Sequence, residues 1–97
     1  MKQFTEKQIM NKYARACKVY TCQESNLCDY EMTDDYIRME LCYSNGLDNY
    51  NKYFEYIMIV AYFTADGGTL TWLQIEYNYK PSVAYARDNT TGLYHRV

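Results

Sequence analysis

The segment that most restricts how this chain can fold is YFEYIMIVAYF, residues 53–63. Glu55 is its one charged residue, and its apolar side chains do not alternate with polar ones. A half-buried strand alternates apolar and polar residues, because successive side chains point to opposite faces of the sheet. The segment therefore predicts a strand with two apolar faces, each of which needs cover.

The size and composition of the chain favour a small globular protein. A chain of 97 residues, 48% hydrophobic and 23% charged, is expected to form one domain over residues 1–97. Its core is expected to be small, since only about 60–65% of the unfolded surface leaves water at this length. Tyrosine is abundant, with 13 residues against three Phe and one Trp. Because Tyr has an apolar ring and a polar hydroxyl, it is enriched where protein surfaces meet partners.

Residues 6–21 are predicted to form an amphipathic helix. Thr5 and Gln8 have the spacing of a capping box, and Phe4 and Ile9 have that of a hydrophobic staple. Apolar residues recur on one face at helical spacing. These residues are Ile9, Met10, Tyr13, Ala16, Cys17 and Tyr20. The basic outer face consists of Lys7, Lys12, Arg15 and Lys18.

The next segment, residues 22–35, has no helical or strand period and contains many turn formers, so a loop is predicted. This acidic loop contains Glu24, Asp29, Glu31, Asp34 and Asp35. A basic block is thus followed by an acidic one. Two solvated faces that attract each other are the simplest interpretation of this pattern.

The rest of the chain is predicted to form strands at 36–43, 53–64 and 70–79. Asn-Gly within 44–47 and Asp-Gly-Gly within 65–68 indicate turns between them. The ambiguous tail allows a short helix at 82–87 and a last strand at 92–96. The predicted fold is therefore α+β, with the N-terminal amphipathic helix packed on a three- or four-stranded antiparallel meander.

One set of side chains on the middle strand should face the helix. We expect the smaller and aliphatic set there, namely Ile57, Ile59, Ala61 and Phe63. The opposite face then has Tyr56, Met58, Val60 and Tyr62 at its centre, with Trp72 and Cys42 beside them. Gln74 and Glu76 lie at its edge, together with Arg38 and Glu40.

An apolar, ring-rich centre with a charged rim is typical of a contact surface. The predicted partner-binding residues are Tyr56, Met58, Tyr62, Trp72, Arg38 and Glu40. Three occupants remain open at this point: the chain's own tail, a second copy of the chain, and a different macromolecule.

No catalytic or metal-binding motif stands out in the sequence. His95 is the one histidine and lies near the end of the chain, so no acid–base set is indicated. The spacing of Cys17, Cys22 and Cys28 lacks the close pairs of structural zinc sites. Residues 29–40 place oxygens as a calcium loop does, but Asp34 occupies the position that needs glycine. We therefore predict no enzyme activity, no metal and no cofactor.

The first residues, MKQFTE, contain no apolar run, so no secretory signal is expected. No apolar segment approaches the about 18 residues that cross a bilayer, and no membrane association is predicted. These features predict a cytoplasmic protein, in which Cys17, Cys22, Cys28 and Cys42 would be thiols. In an oxidising compartment the four cysteines would allow three pairings.

The net charge of −2 and the pI near 5.3 make the whole molecule a poor electrostatic ligand for nucleic acid. We expect a small non-enzymatic module that binds another protein. In size and surface type it resembles inhibitors of host-defence nucleases encoded by phages and mobile elements, such as anti-CRISPR proteins. One alternative is a nucleic-acid-binding regulator using the basic helix or the aromatic sheet face. A second alternative is a homodimeric structural protein.

Overall fold

A computed structural model of the chain describes residues 2–21, 26–47, 53–78 and 80–97, with side chains described in 2–17, 29–42, 56–78 and 80–97. These residues form one helix and a seven-stranded antiparallel sheet. The elements are β1 (Gln3–Phe4), α1 (Glu6–Thr21), β2 (Asn26–Met32), β3 (Tyr36–Leu47), β4 (Tyr53–Thr64), β5 (Leu70–Tyr77), β6 (Val83–Arg87) and β7 (Tyr94–Arg96). The α+β class is confirmed, but the sheet is larger than the three or four strands predicted.

The strands lie in the order β1-β7-β6-β5-β4-β3-β2. Strands β2 to β7 form a meander, and β1 pairs with the free side of β7. The chain thus enters α1 at one edge of the sheet and resumes in β2 at the other. The 16 residues of α1 span about 24 Å, close to the about 29 Å that separates the outer strands of a seven-stranded sheet. One helix can therefore cross one face of the sheet.

The predicted helix bounds, 6–21, match α1 (Glu6–Thr21). The capping box forms, since Thr5 N–H donates to Gln8 Oε1 at 2.8 Å and Gln8 N–H donates to Thr5 Oγ1 at 3.2 Å. Ile9 and Ala16 are fully buried, whereas Met10 is 37% exposed. Met10 therefore does not belong to the buried stripe. The side chain of Tyr20 lies outside the described set.

The core lies between α1 and the sheet face that it crosses. As predicted, Ile57, Ile59 and Ala61 of β4 are buried there, with Phe63 packed against them. The ring of Tyr13 on α1 meets that of Phe63 edge to face at 5.6 Å. Strands β3 and β5 to β7 add further apolar residues. These are Met39, Leu41, Leu70, Leu73, Ile75, Tyr77, Val83, Tyr85 and Tyr94.

Three segments differ from the predicted secondary structure. Strand β3 continues through Leu47 and pairs with β4, so the turn predicted at 44–47 is wrong. The acidic loop is largely the strand β2, which completes the sheet by pairing with β3. Residues 83–87 are strand β6 rather than a helix, because β5 and β7 supply ladder partners on both sides. In each case a neighbouring strand supplies backbone hydrogen bonds that weak local alternation does not reveal.

A bulge at Thr71 interrupts the alternation of β5. Tyr62 pairs with Trp72 and Phe63 pairs with Leu70, which leaves Thr71 without a position in the ladder. Its hydroxyl donates to the Tyr62 carbonyl at 3.2 Å. Leu70 and Trp72 are two residues apart and would share a face in a regular strand. The extra residue instead turns Leu70 into the core and Trp72 to the opposite face.

Replacing Tyr94 with Phe should lower the free energy of unfolding by about 1–3 kcal/mol. Tyr94 is fully buried, and its hydroxyl donates to the Leu70 carbonyl, which the substitution leaves without this donor. The matched control is Tyr30→Phe on β2, where the ring is 48% exposed; we expect a change below about 0.5 kcal/mol there. Urea denaturation measures both. Equal effects of the two substitutions would contradict the assigned packing of Tyr94.

Candidate binding surface on the open face of the sheet

The side of β2–β5 that is turned away from α1 is called the open face. Residues paired directly across an antiparallel ladder share a side, so the register assigns the side of each residue. The side chains assigned to this face are Asp29, Glu31, Tyr36, Arg38, Glu40, Cys42, Tyr56, Met58, Val60, Tyr62, Trp72, Gln74 and Glu76. In the part of the chain that the structure describes, no helix or strand lies over it.

The tail does not cover the open face. Residues 83–87 and 94–96 extend the sheet as β6 and β7 instead of folding across it. Val83, Tyr85 and Tyr94 belong to the core on the helix side. The interpretation that the tail forms a third layer is therefore wrong.

The six predicted partner-binding residues lie together on the open face. Tyr56, Met58, Tyr62, Trp72, Arg38 and Glu40 are all half-buried. Val60, at their centre, is 8% exposed although it is separate from the main core. Neighbouring open-face side chains thus shield one another and form a continuous layer.

An aromatic depression of about 520 Å³ lies at one end of this face, lined by Tyr36, Tyr62, Thr71 and Trp72. The rings of Tyr36 and Tyr62 meet edge to face, with centroids 5.4 Å apart. Sequence analysis missed Tyr36 and Thr71 as members of this site. Tyr36 was recognisable as the first residue of a strand facing the same way as Arg38. Thr71 was not, because the bulge depends on the pairing with β4.

Arg38 organises the charges beside the depression. Its guanidinium contacts Asp29 at 2.7 Å and Glu40 at 2.8 Å, and it lies 5.8 Å from the centroid of the Tyr62 ring. The hydrogen bond to Glu40 raises the pKa of Arg38. Ion pairs at a protein surface add little stability, so the main effect of these two is to hold Arg38 against the ring.

The open face is acidic. Glu31 accepts a hydrogen bond from the hydroxyl of Tyr36, which raises the pKa of Tyr36. The carboxylates on this face outnumber the guanidinium of Arg38. They are Asp29, Glu31, Glu40 and Glu76.

The predicted acidic-loop residues are divided among different environments. Asp29 and Glu31 lie on the edge strand β2 and face Glu40 and Arg38 across the ladder. Asp34 and Asp35 form the hairpin turn before β3, in which Thr33 N–H donates to the Tyr36 carbonyl at 2.9 Å. Glu24 lies outside the described residues.

The basic side chains lie on the helix layer, on the other side of the sheet. Lys7 is exposed. Lys12 Nζ lies 5.6 Å and 5.5 Å from the ring centroids of Phe4 and Tyr85. Arg15 Nη1 donates to Tyr77 Oη at 3.4 Å, and the side chain of Lys18 lies outside the described set. The two layers of the molecule therefore have opposite charge.

The residues considered for catalysis lie apart from the open-face centre. His95 is in β7, between Gln3 of β1 and Ala86 of β6. Cys17 is on the helix side, where burial raises the pKa of its thiol more than the hydrogen bond with Tyr13 lowers it. A raised pKa reduces the thiolate fraction and hence the nucleophilicity of a cysteine. Among the described residues, no three His, Cys, Asp or Glu side chains are grouped to hold a metal.

Cys42 is part of a disulfide bond, whereas Cys17 is a free thiol. The expectation of four thiols is therefore wrong for Cys42. Disulfides persist mainly in oxidising compartments, so this bond argues against the predicted cytoplasmic location. Among the described residues, no helix has the length and apolar character needed to span a membrane.

Alkylation of the unfolded protein with N-ethylmaleimide, without reductant, should label Cys17 and leave Cys42 unmodified. Only a free thiolate reacts, and the disulfide removes it at Cys42. Acid-quenched extracts of the native cells, analysed by mass spectrometry, give the measurement. Reduction before labelling is the control and should expose Cys42. Labelling of Cys42 without reductant would contradict the disulfide in the cell and favour the cytoplasmic location.

Comparison with protein-family models, with curated proteins and with solved structures finds no match for this chain. No relative therefore assigns an activity to the open face or to the helix layer. The function has to be inferred from the shape, composition and charge of these two surfaces.

Proposed function

We propose that this chain is a non-enzymatic protein-binding module that covers a site on a larger partner with its open face. The supporting observation is that Met58, Val60, Tyr62 and Trp72 lie on a face over which the described residues place no second layer. Covering an apolar centre of this kind with another surface removes it from water and lowers the free energy of the system.

The composition of the open face supports a protein partner. Tyr, Trp, Met and Arg are the residue types enriched in protein interfaces. Here they lie on the two adjacent central strands β4 and β5 and on β3, with Glu40, Gln74 and Glu76 around them. Buried rings surrounded by polar side chains are the usual arrangement of binding hot spots.

The charge of the open face argues against nucleic acid as its ligand. Phosphate binding requires Lys or Arg to replace condensed counterions, whereas this face has more carboxylates than guanidinium groups. An acidic surface instead complements a basic one and would steer it into contact.

The narrower function that we infer is inhibition by occupancy, of the kind that phage and mobile-element proteins exert on host-defence machinery. The small size of the chain and the type of its open face support this inference. A cytoplasmic site of action is part of this proposal. The disulfide at Cys42 weighs against that location, and the alkylation experiment above decides it.

Nucleic-acid binding through the helix layer is the second candidate. It is favoured by the basic side chains gathered there, which are Lys2, Lys7, Lys12 and Arg15. Such binding would weaken linearly in log salt concentration, with a slope of about −0.9 per phosphate contact on duplex DNA. A complex held by the rings of the open face would depend much less on salt.

Replacing Tyr62 with Glu should abolish partner binding and leave the fold intact, because it puts a charge among the aromatic rings of the proposed interface. Tyr30→Glu is the matched control, since Tyr30 is an exposed tyrosine whose pairing partner, Met39, faces the helix side. A photo-crosslinking residue at Gln74 in the native cell captures the partner, and one at Asn11 on the exposed side of α1 reports the other layer.

We expect a crosslinked protein from position 74 that disappears with Tyr62→Glu and persists with Tyr30→Glu. Partners captured only from position 11, or captured equally by both variants, would contradict binding through the open face. Light scattering of the purified protein tests the homodimer. A dimer that Tyr62→Glu converts to a monomer would show that a second copy occupies the face.

A further inference from the structure

We propose that the aromatic depression is a socket for a cationic side chain, so that the partner presents an arginine or lysine from a basic surface. This proposal rests on the proposed function, because it names the chemistry that the open face would bind. It specifies one anchor point within a larger interface.

The shape of the depression suits a single long side chain. The depression is shallow and open to solvent, so a long side chain can lie along its rings from outside. Three of its four lining residues are aromatic, namely Tyr36, Tyr62 and Trp72. The bulge at Thr71 is what turns Trp72 toward Tyr62 on this face. In an aromatic cage a cation lies against ring faces, where the ring quadrupole is negative.

The molecule already places one guanidinium on this set of rings. Arg38 lies 5.8 Å from the centroid of Tyr62, within the about 6 Å at which a cation is attracted to a ring face. Tyr36 donates its hydroxyl hydrogen to the carboxylate of Glu31. This hydrogen bond polarises the phenol and makes its ring more electron-rich.

The charges around the depression favour a cation over other ligands. Glu31 is hydrogen-bonded at its rim, and Asp29 and Glu40 hold Arg38 beside it. These three carboxylates exceed the single positive charge of Arg38. An anion would be repelled, and a nucleobase stacked on the rings would bring its phosphate near the same carboxylates.

Trp72 is the one tryptophan in the chain, so its fluorescence reports directly on the depression. The probes are three blocked peptides that differ at one position, with arginine, lysine or the neutral arginine analogue citrulline between glycines. We expect the arginine and lysine peptides to shift Trp72 emission at concentrations roughly two- to fivefold lower than the citrulline peptide, as cation–π attraction at a partly exposed site predicts.

The variant Glu31→Gln keeps an acceptor for the Tyr36 hydroxyl and removes one negative charge. It should weaken the response to the arginine peptide and leave the response to the citrulline peptide unchanged. The matched control is Glu6→Gln, at an exposed position in the first turn of α1, which should change neither. Loss of the arginine preference in Glu31→Gln alone would support the socket.

Three outcomes would overturn the inference, and they differ in what they say about the proposed function. Equal responses to arginine and citrulline would remove the cation specificity and leave the open face as a binding surface. A stronger response to a single-stranded oligonucleotide than to the arginine peptide would overturn both proposals. No response to any peptide would overturn the socket when acrylamide still quenches Trp72. If acrylamide cannot reach Trp72 and the protein is a dimer, the proposed function fails as well.

Discussion

The architecture depends on a strand that is apolar on both sides. Strand β4 lies between β3 and β5 in the sheet. Because its apolar residues do not alternate with polar ones, exposing either of its faces to water would be unfavourable. Helix α1 covers one side, where Ile57, Ile59 and Ala61 are buried. On the other side the chain uses mutual shielding, with Val60 at the centre of a layer of half-buried rings and long side chains. That layer is the origin of the proposed interface.

The basic and acidic side chains lie on opposite sides of the sheet, so the charge distribution of the molecule is polar. A net charge of −2 conceals a basic helix layer and an acidic open face. Such a distribution orients an approaching basic partner toward the face that has the rings, and it disfavours stacking two open faces on each other. The same distribution explains why the composition alone does not indicate the partner. Only the pairing of β2 with β3 brings Asp29 and Glu31 next to Arg38 and Glu40.

Local chemistry predicted the elements that have a strong signal in their own sequence. The capping box at Thr5 and Gln8 fixes the start of α1, and the apolar run fixes β4 at both ends. The inward set of β4 and the six open-face residues also followed from strand alternation. The strands β1, β2 and β6 were missed because they are short or acidic and form by pairing with other strands, whereas the last strand allowed at 92–96 is present as β7. The aromatic depression was only half predictable, since the bulge at Thr71 arises from the register between β4 and β5.

The exposure of the open face is the central claim, and hydroxyl-radical footprinting of the purified protein tests it most directly. After division by the intrinsic reactivity of each residue type, the modification rates of Met58, Tyr62 and Trp72 should lie between those of the fully buried Tyr94 and of Met32, which is 63% exposed. Partner binding should then lower the rates at these three residues and leave Met32 unchanged. Rates as low as that of Tyr94 in a monomer without partner would show that the face is already covered, and would contradict the role assigned to it.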